Sequence, residues 1–360
     1  MVDSLKSLKN VLSLEDYSAN VVDLWIPTGI DPIDFIINPA SGGIPAGRIT
    51  QIYGPESAGK STLLAHIFKS AVEMGIASIL FDAENRFDDN FASRVGLDTS
   101  KLGMVVDADG FPVQSIESFM KRFYEVVQEF YKDIPPDTPL LVALDSVEAL
   151  KPESHMQSFK TANYKKIKRQ VAETARMWGP WYSTDLIPLQ KKYSKLTFIA
   201  LNQERTNIQT SFFSNEAKTT TPGGRALKFY SSLDLRIERQ KLLTDPTKNY
   251  DVYAIVTRVK VTKSSVGMPF EKCFVYNHMK KGFDNARSVM WFLADRGVLG
   301  KQAGKATVHS CEHFKVIGKV AGKKLSRKTL DLASAQKLYD KYGWDALVTS
   351  IREGENEVEQ

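Results

Sequence analysis

The 360-residue chain has only two cysteines, Cys273 and Cys311. Two cysteines cannot make a disulfide framework, and with no CxxC pair there is no zinc ribbon. Nor is there an apolar run of 18 residues, so no membrane-spanning helix is expected. Its first residues, Met1-Val2-Asp3-Ser4-Leu5-Lys6, do not lead into an apolar stretch of the signal-peptide kind. These absences point to a reducing, cytoplasmic setting. Charge of one sign is not in large excess: 48 Lys+Arg against 42 Asp+Glu gives +6. That balance excludes a histone-like polycation and leaves room for a local nucleic-acid surface. Internal repeats and long low-complexity segments are also missing.

What is present is the texture of an ordinary globular protein, 42% hydrophobic and 25% charged. Apolar runs at Ile49–Tyr53, Ala77–Phe81, Leu140–Leu144, Leu196–Leu201, Leu233–Ile237 and Tyr253–Val261 read as strands. Helical stretches such as Ser115–Tyr131 separate the earlier ones. Near-continuous apolar strands with helices between them predict a mostly parallel sheet covered on both faces. The last two runs follow closely, which predicts an antiparallel edge. Residues 1–30 read as an amphipathic helix (Leu5, Leu8, Leu12) and a connector, 31–281 as an α/β core, 282–352 as a small basic C-terminal domain, and 353–360 as an acidic tail. Between Lys301 and Lys341 there are 10 Lys+Arg and 3 Asp+Glu.

The chemistry concentrates at strand ends. Gly54-Pro55-Glu56-Ser57-Ala58-Gly59-Lys60-Ser61-Thr62 fits the phosphate-binding loop GxxxxGK[ST] in full, between an apolar strand and an amphipathic helix, Leu63–Met74. In such a loop, backbone N–H groups and the helix N-terminus face phosphate oxygens. The lysine reaches the β- and γ-phosphates of ATP and the first hydroxyl ligates Mg²⁺. Asp145 ends a second apolar strand, where a carboxylate serves the same Mg²⁺. Asp82 and Glu84 end a third; either carboxylate could cap the next helix or orient the attacking water. Asn202-Gln203 ends a fourth, and an amide there can bond a γ-phosphate.

Two segments after these strands suit nucleic acid. Residues 151–176 carry 7 Lys+Arg and 2 Asp+Glu, among them Lys165, Lys166, Lys168, Arg169 and Arg176. Residues 204–221 form a long polar stretch with Arg205, Phe212, Phe213 and Lys218, running into Gly223-Gly224-Arg225. Aromatics and arginine in a long loop suit base stacking and phosphate contact. His309, Cys311 and His313 are spaced for a metal, but lack a fourth ligand.

Taken together, GPESAGKST, the DAE of Asp82–Glu84, the DSVEAL of Asp145–Leu150, Asn202-Gln203 and TTTPGGRALKFYSS at Thr219–Ser232 resemble the RecA family of recombinases over about residues 25–300. The resemblance implies a RecA-like P-loop ATPase core, with Glu84 as the water-orienting base and Gln203 as the γ-phosphate sensor. It places Asp88 and Phe91 at the adenine and makes residues 152–168 and 204–221 the DNA loops. Lys263 would reach an ATP on the neighbouring subunit; the family's second lysine falls at Ser265. The implied activity is a DNA-dependent ATPase that forms a helical homo-oligomer on single-stranded DNA, pairs it with a homologous duplex and exchanges strands, with single-strand-binding and mediator proteins as partners. A RecA-fold hexameric helicase, or an ATP-dependent regulatory protein without strand exchange, shares the phosphate loop and the basic segments.

Overall fold

The structure is a computed structural model and describes residues 21–107, 109–160, 170–206, 219–220, 226–245, 247, 250–296, 299–301, 313–316, 319–320, 323–324, 329–331, 337, 339–341 and 343. The N-terminal helix read over residues 5–12 and the acidic tail lie outside these residues.

A two-stranded ribbon opens the described chain, β1 (Trp25–Ile26) antiparallel to β2 (Ile44–Pro45). The strands β3 (Ile49–Gly54), β4 (Ala77–Asp82), β5 (Leu102–Met104), β6 (Leu140–Asp145) and β7 (Leu196–Gln203) follow, with helices between most of them. After β7 come two short strands, β8 (Arg205–Thr206) and β9 (Thr219–Thr220), paired antiparallel. The long strands β10 (Leu233–Asp245) and β11 (Asp251–Ser264), then β12 (Lys272–His278) and β13 (Gly282–Asp284), come next, and among the described residues five short strands between Leu299 and Asp331 follow in two small separate sheets.

Nine of these form one sheet, β13-β12-β11-β10-β3-β7-β6-β4-β5. From β10 to β5 every pairing is parallel; from β10 to β13 every pairing is antiparallel. The expected α/β architecture with a mostly parallel sheet is present. Three expectations are corrected. The antiparallel pair β10–β11 is internal, because β12 and β13 extend the sheet beyond it. The boundary placed at Gly282 falls inside the sheet, and the next helix, Asn285–Asp295, buries Val289 to Leu293 in the same core as β3. The polar stretch after β7 is drawn together at its ends by β8 and β9.

The period of two along each central strand sorts its side chains between two cores. In β7, Phe198 and Ala200 face one way, Ile199 and Leu201 the other. One core is largely aliphatic and lies under the helices Asp31–Ile37, Lys60–Glu73 and Asn285–Asp295. The other is aromatic: Phe119, Phe123, Trp178, Trp181 and Phe198 meet edge-on or tilted at 5.2–6.2 Å between ring centres. Its helices are Ile116–Phe130, capped by Ser115 through Ser118 N–H, and Gln170–Pro180, which passes into a π-helical turn at Trp181–Leu186. No helix among the described residues is long and apolar enough to cross a membrane.

Candidate functional site

The parallel strands β3, β4, β6 and β7 all end on one edge of the sheet, so their last polar residues converge. Gly54 pairs in register with Gln203, and Asp82 with Asp145. Between them opens a cleft of about 250 Å³ lined by Lys60, Ser61, Glu84, Arg86, Asp145 and Gln203, with Glu56, Ser57 and Gly59 at its rim. Such a crevice outside the carboxyl ends of parallel strands is where α/β sheets bind ligands.

Two glycines shape the loop. Gly54 has φ +153°, and a Cβ there would stand 1.9 Å from the Ile237 carbonyl oxygen. Gly59 has φ +105°; a Cβ would crowd Asn277 Nδ2 at 2.9 Å and Phe283 Cζ at 3.1 Å. Gly59 is also the N-cap of helix Lys60–Glu73 and supplies no side-chain hydrogen bond. The helix N-terminus therefore presents backbone donors and its partial positive charge without a built-in anion. Ala58 is buried beneath the loop, and its carbonyl accepts from Thr257 Oγ1 at 3.4 Å. Ser57 sits at φ +55°.

Lys60 Nζ donates to the carbonyls of Gly54 at 3.0 Å and Pro55 at 2.8 Å. Burial holds its pKa below the ordinary lysine value, opposed by Asp145, Glu84, Glu56 and Glu204. Ser61 Oγ donates to Asp145 Oδ2 at 2.7 Å. Asp145 is pushed up to about 6, first by burial and then by the charges of Glu84 and Asp82, against the Ser61 bond and Lys60. A hydroxyl and a crowded carboxylate side by side at the foot of a phosphate loop are a fitting pair of oxygen ligands for Mg²⁺. Glu84 Oε1 accepts from Ser146 Oγ at 2.5 Å, and its Oε2 lies 3.2 Å from Arg86. Asp82 does not cap a helix; its carboxylate accepts from Phe87 N–H at 2.8 Å and holds a turn.

Gln203 is joined to the loop through the next residue. Glu204 N–H donates to the Gly54 carbonyl at 3.0 Å, the same oxygen that Lys60 uses. The Glu204 carboxylate is fixed by Arg236 at 2.9–3.0 Å, and Arg236 continues to Glu238 at 2.7 Å. The segment after Gln203 thus starts from an anchored point in the phosphate cleft.

The other expected residues stand apart. Asp88 caps helix Asp89–Arg94 through Asn90 N–H at 2.9 Å, and Phe91 lies under the Arg94 guanidinium at 5.8 Å; neither lines the cleft. Lys263, across the ladder from Asp234, donates to the carbonyls of Lys228, Phe229 and Ser231 at 2.7, 2.8 and 2.6 Å. Ser265, at the position of the family's second lysine, ties its N–H to the Ser232 carbonyl at 2.8 Å. Arg176 is exposed on helix Gln170–Pro180, and Arg205 begins β8. Lys165, Lys166, Lys168, Arg169, Phe212, Phe213, Lys218, Gly223, Gly224 and Arg225 lie outside the described residues, as do His309 and Cys311. Sequence reasoning missed Arg86, Ser146, Glu204 and Arg236. The signal for Ser146 was its place directly after the strand-ending Asp145; for the others it lay in three-dimensional pairing alone.

The family model described as the RecA N-terminal domain matches residues 7–284. Protein RecA of Malacoplasma penetrans is 32% identical over 262 residues, covering 72% of this chain and 71% of that protein. Protein RecA of Nitratidesulfovibrio vulgaris is 31% identical over 292 residues, covering 81% and 74%. Among solved structures, the crystal structure of the RadB recombinase superposes with a TM-score of 0.46 at 17% identity, covering 72% of this chain and 98% of that one. With a full phosphate loop on the strand edge, and with the family model and the two RecA relatives matching most of its length, the chain belongs to the RecA family of DNA-dependent ATPases and recombinases.

Proposed function

We propose that this protein is an ATP-driven recombinase that polymerises as a helical filament on single-stranded DNA, pairs it with a homologous duplex and exchanges strands. The observation that carries the coupling of ATP to DNA is the shared Gly54 carbonyl. The phosphate-loop lysine and the first residue of the segment after Gln203 hold one oxygen between them, so a change at the phosphates is felt where that segment begins.

In this reading Lys60 and the backbone of Gly54–Thr62 bind the β- and γ-phosphates of ATP, while Ser61 and Asp145 hold Mg²⁺. A bound Mg²⁺ would withdraw charge from the transferring phosphoryl group. Glu84 accepts the proton of the attacking water; the oxygen–phosphorus bond forms as the bond to the β-phosphate oxygen breaks, leaving ADP and phosphate. Gln203 donates to the γ-phosphate and loses that partner on hydrolysis. Asp88 and Phe91 receive the adenine. Lys263 serves an ATP bound at the neighbouring subunit. DNA is held by Lys165, Lys166, Lys168, Arg169 and Arg176 in one segment and Arg205, Phe212, Phe213, Lys218, Gly223, Gly224 and Arg225 in the other. Phosphate contacts and stacking carry no base code, so binding is independent of sequence. Single-strand-binding and mediator proteins are its partners, and the cytoplasm of a bacterium or a bacteriophage-infected cell its setting.

The test measures ATPase rate with and without single-stranded DNA, and DNA affinity with and without a non-hydrolysable ATP analogue. In Gln203→Ala, nucleotide binding should persist while both responses disappear together, because both run through the one amide that meets the γ-phosphate and begins the DNA segment. Electron microscopy of the parent protein should show helical filaments. Closed rings, or a Gln203→Ala protein that keeps both responses, would overturn the reading.

A further inference from the structure

Arg86 lines the phosphate cleft, yet nothing in the family motifs assigns it. Its backbone is fixed on both sides. Asp82 accepts from Asn85 N–H through its carbonyl at 3.3 Å and from Phe87 N–H through its carboxylate at 2.8 Å. Asn85 takes a left-handed conformation, φ +52°, and Phe87 packs against the aliphatic core. The turn thus presents Arg86 at the mouth of the cleft, where NH1 lies 3.2 Å from Glu84 Oε2.

The pair is unlike the surface bridges elsewhere. In Lys132–Glu129 both partners are exposed, at 64% and 78%. Here the Arg86 side chain is 76% exposed but the Glu84 side chain only 17%. The acid is inside and the base outside. Glu84 is gripped at its two oxygens from two directions, by the Ser146 hydroxyl and by Arg86. Two grips fix the plane of a carboxylate, and a carboxylate that orients water acts through its lone-pair directions.

We infer that Arg86 is a positioning residue for hydrolysis: it holds Glu84 in the orientation from which the carboxylate takes the proton of the attacking water. The inference rests on the ATPase reading above and adds a residue to it. Arg86 touches neither the water nor the nucleotide in this role. The Arg86 side chain is mostly in solvent and Glu84 keeps its bond from the Ser146 hydroxyl, so removing Arg86 should leave the protein folded and the cleft intact.

The experiment is steady-state and single-turnover ATP hydrolysis by the full chain on single-stranded DNA. Arg86→Ala should lower kcat about tenfold or more, the scale on which small misplacements act, with KM for ATP unchanged within about twofold. Arg86→Lys should recover part of the rate, since a point charge replaces the single N–O contact. Glu84→Gln should hydrolyse slowly, and adding Arg86→Ala to it should cost nothing further, because the group being positioned is already gone. Parental kcat in Arg86→Ala, or an equal loss in the presence and absence of Glu84, would overturn the inference and leave the ATPase reading standing. Parental kcat in Glu84→Gln would overturn the role of Glu84 itself, and this inference with it.

Discussion

Two half-buried lysines, Lys60 and Lys263, make the same kind of contact in two regions of the molecule, and the difference between them is instructive. Both donate to backbone carbonyls, and burial lowers the pKa of both. Lys60 stands at the first position of a helix, where the backbone dipole disfavours a cation, among the carboxylates of Asp145, Glu84, Glu56 and Glu204. Its two carbonyl bonds are readily exchanged for phosphate oxygens. Lys263 stands where helix Ala226–Tyr230 ends, and three carbonyls converge on it. Cations are favoured at that end. One ammonium is placed for a ligand; the other closes a piece of structure, and must release three acceptors before it can serve a neighbouring subunit.

The largest effect that tests this contrast is Lys60→Ala. The variant should lose ATP binding, and with it the ATP-dependent rise in DNA affinity, since the point charge at the foot of the phosphate loop is gone. Its folding should be almost unchanged, because the Gly54 carbonyl keeps its bond from Glu204 N–H and the Pro55 carbonyl belongs to an exposed residue that water can reach. Titration with a fluorescent ATP analogue, beside urea denaturation, checks both halves. ATP binding at the parental affinity would break the comparison at its first term.

A second basic residue on the same helix sharpens it. His66 Nε2 accepts a hydrogen bond from Phe283 N–H at 3.1 Å, so this side chain must be neutral where the lysines must be charged. Burial, with the charge of Lys69, lowers its pKa from 6.5 to about 4. The unfolded chain therefore takes up the proton first. Stability is fully present above pH 6.5 and is lost as the pH falls toward 4. At pH 5 the loss amounts to about 2 kcal/mol. His66→Gln keeps an acceptor and cannot titrate, so its urea midpoint should fall less between pH 7 and pH 5. Equal falls in parent and variant would show that His66 does not set the acid limb.

Much of the site was legible because parallel strands announce their own ends. LLVALD and TFIALNQ are apolar until the residue that leaves the sheet, and that residue is the polar one in the cleft. The antiparallel half was less legible. Beyond Ile237 and the half-buried Glu238, β10 runs on through Arg239, Gln240 and Lys241, exposed residues whose strand state is imposed by β11. Lys272–His278 alternates too weakly to stand out, so the sequence pattern alone stops the sheet two strands early. Arg86 and the Glu204–Arg236 bridge carry no spacing rule, because long side chains choose partners in space. Asp88 and Phe91 stand at the adenine only by likeness to the family; in this chain they build a capped helix beside the cleft.

The smallest effect concerns Lys263, and it separates structure from ligand binding. Without nucleotide or DNA, Lys263→Ala leaves three convergent carbonyls to water and should cost roughly 1–2 kcal/mol, the upper range for a cation at a helix C-terminus. Lys60→Ala, under the same conditions, should cost little. Lys263→Arg tests geometry against charge. The three acceptors surround one nitrogen at 2.6–2.8 Å, whereas a guanidinium spreads its donors in a planar fork. Arginine should therefore restore only part of the stability. Urea denaturation of the four proteins in ligand-free buffer decides the matter. If Lys263→Ala is as stable as the parent, the carbonyl contacts contribute nothing, and Lys263 is as free for a phosphate as Lys60. If it loses the expected stability, any ATP that recruits Lys263 from the adjoining subunit must first unfasten the end of helix Ala226–Tyr230. Nucleotide binding would then loosen the far end of the segment that Gln203 begins.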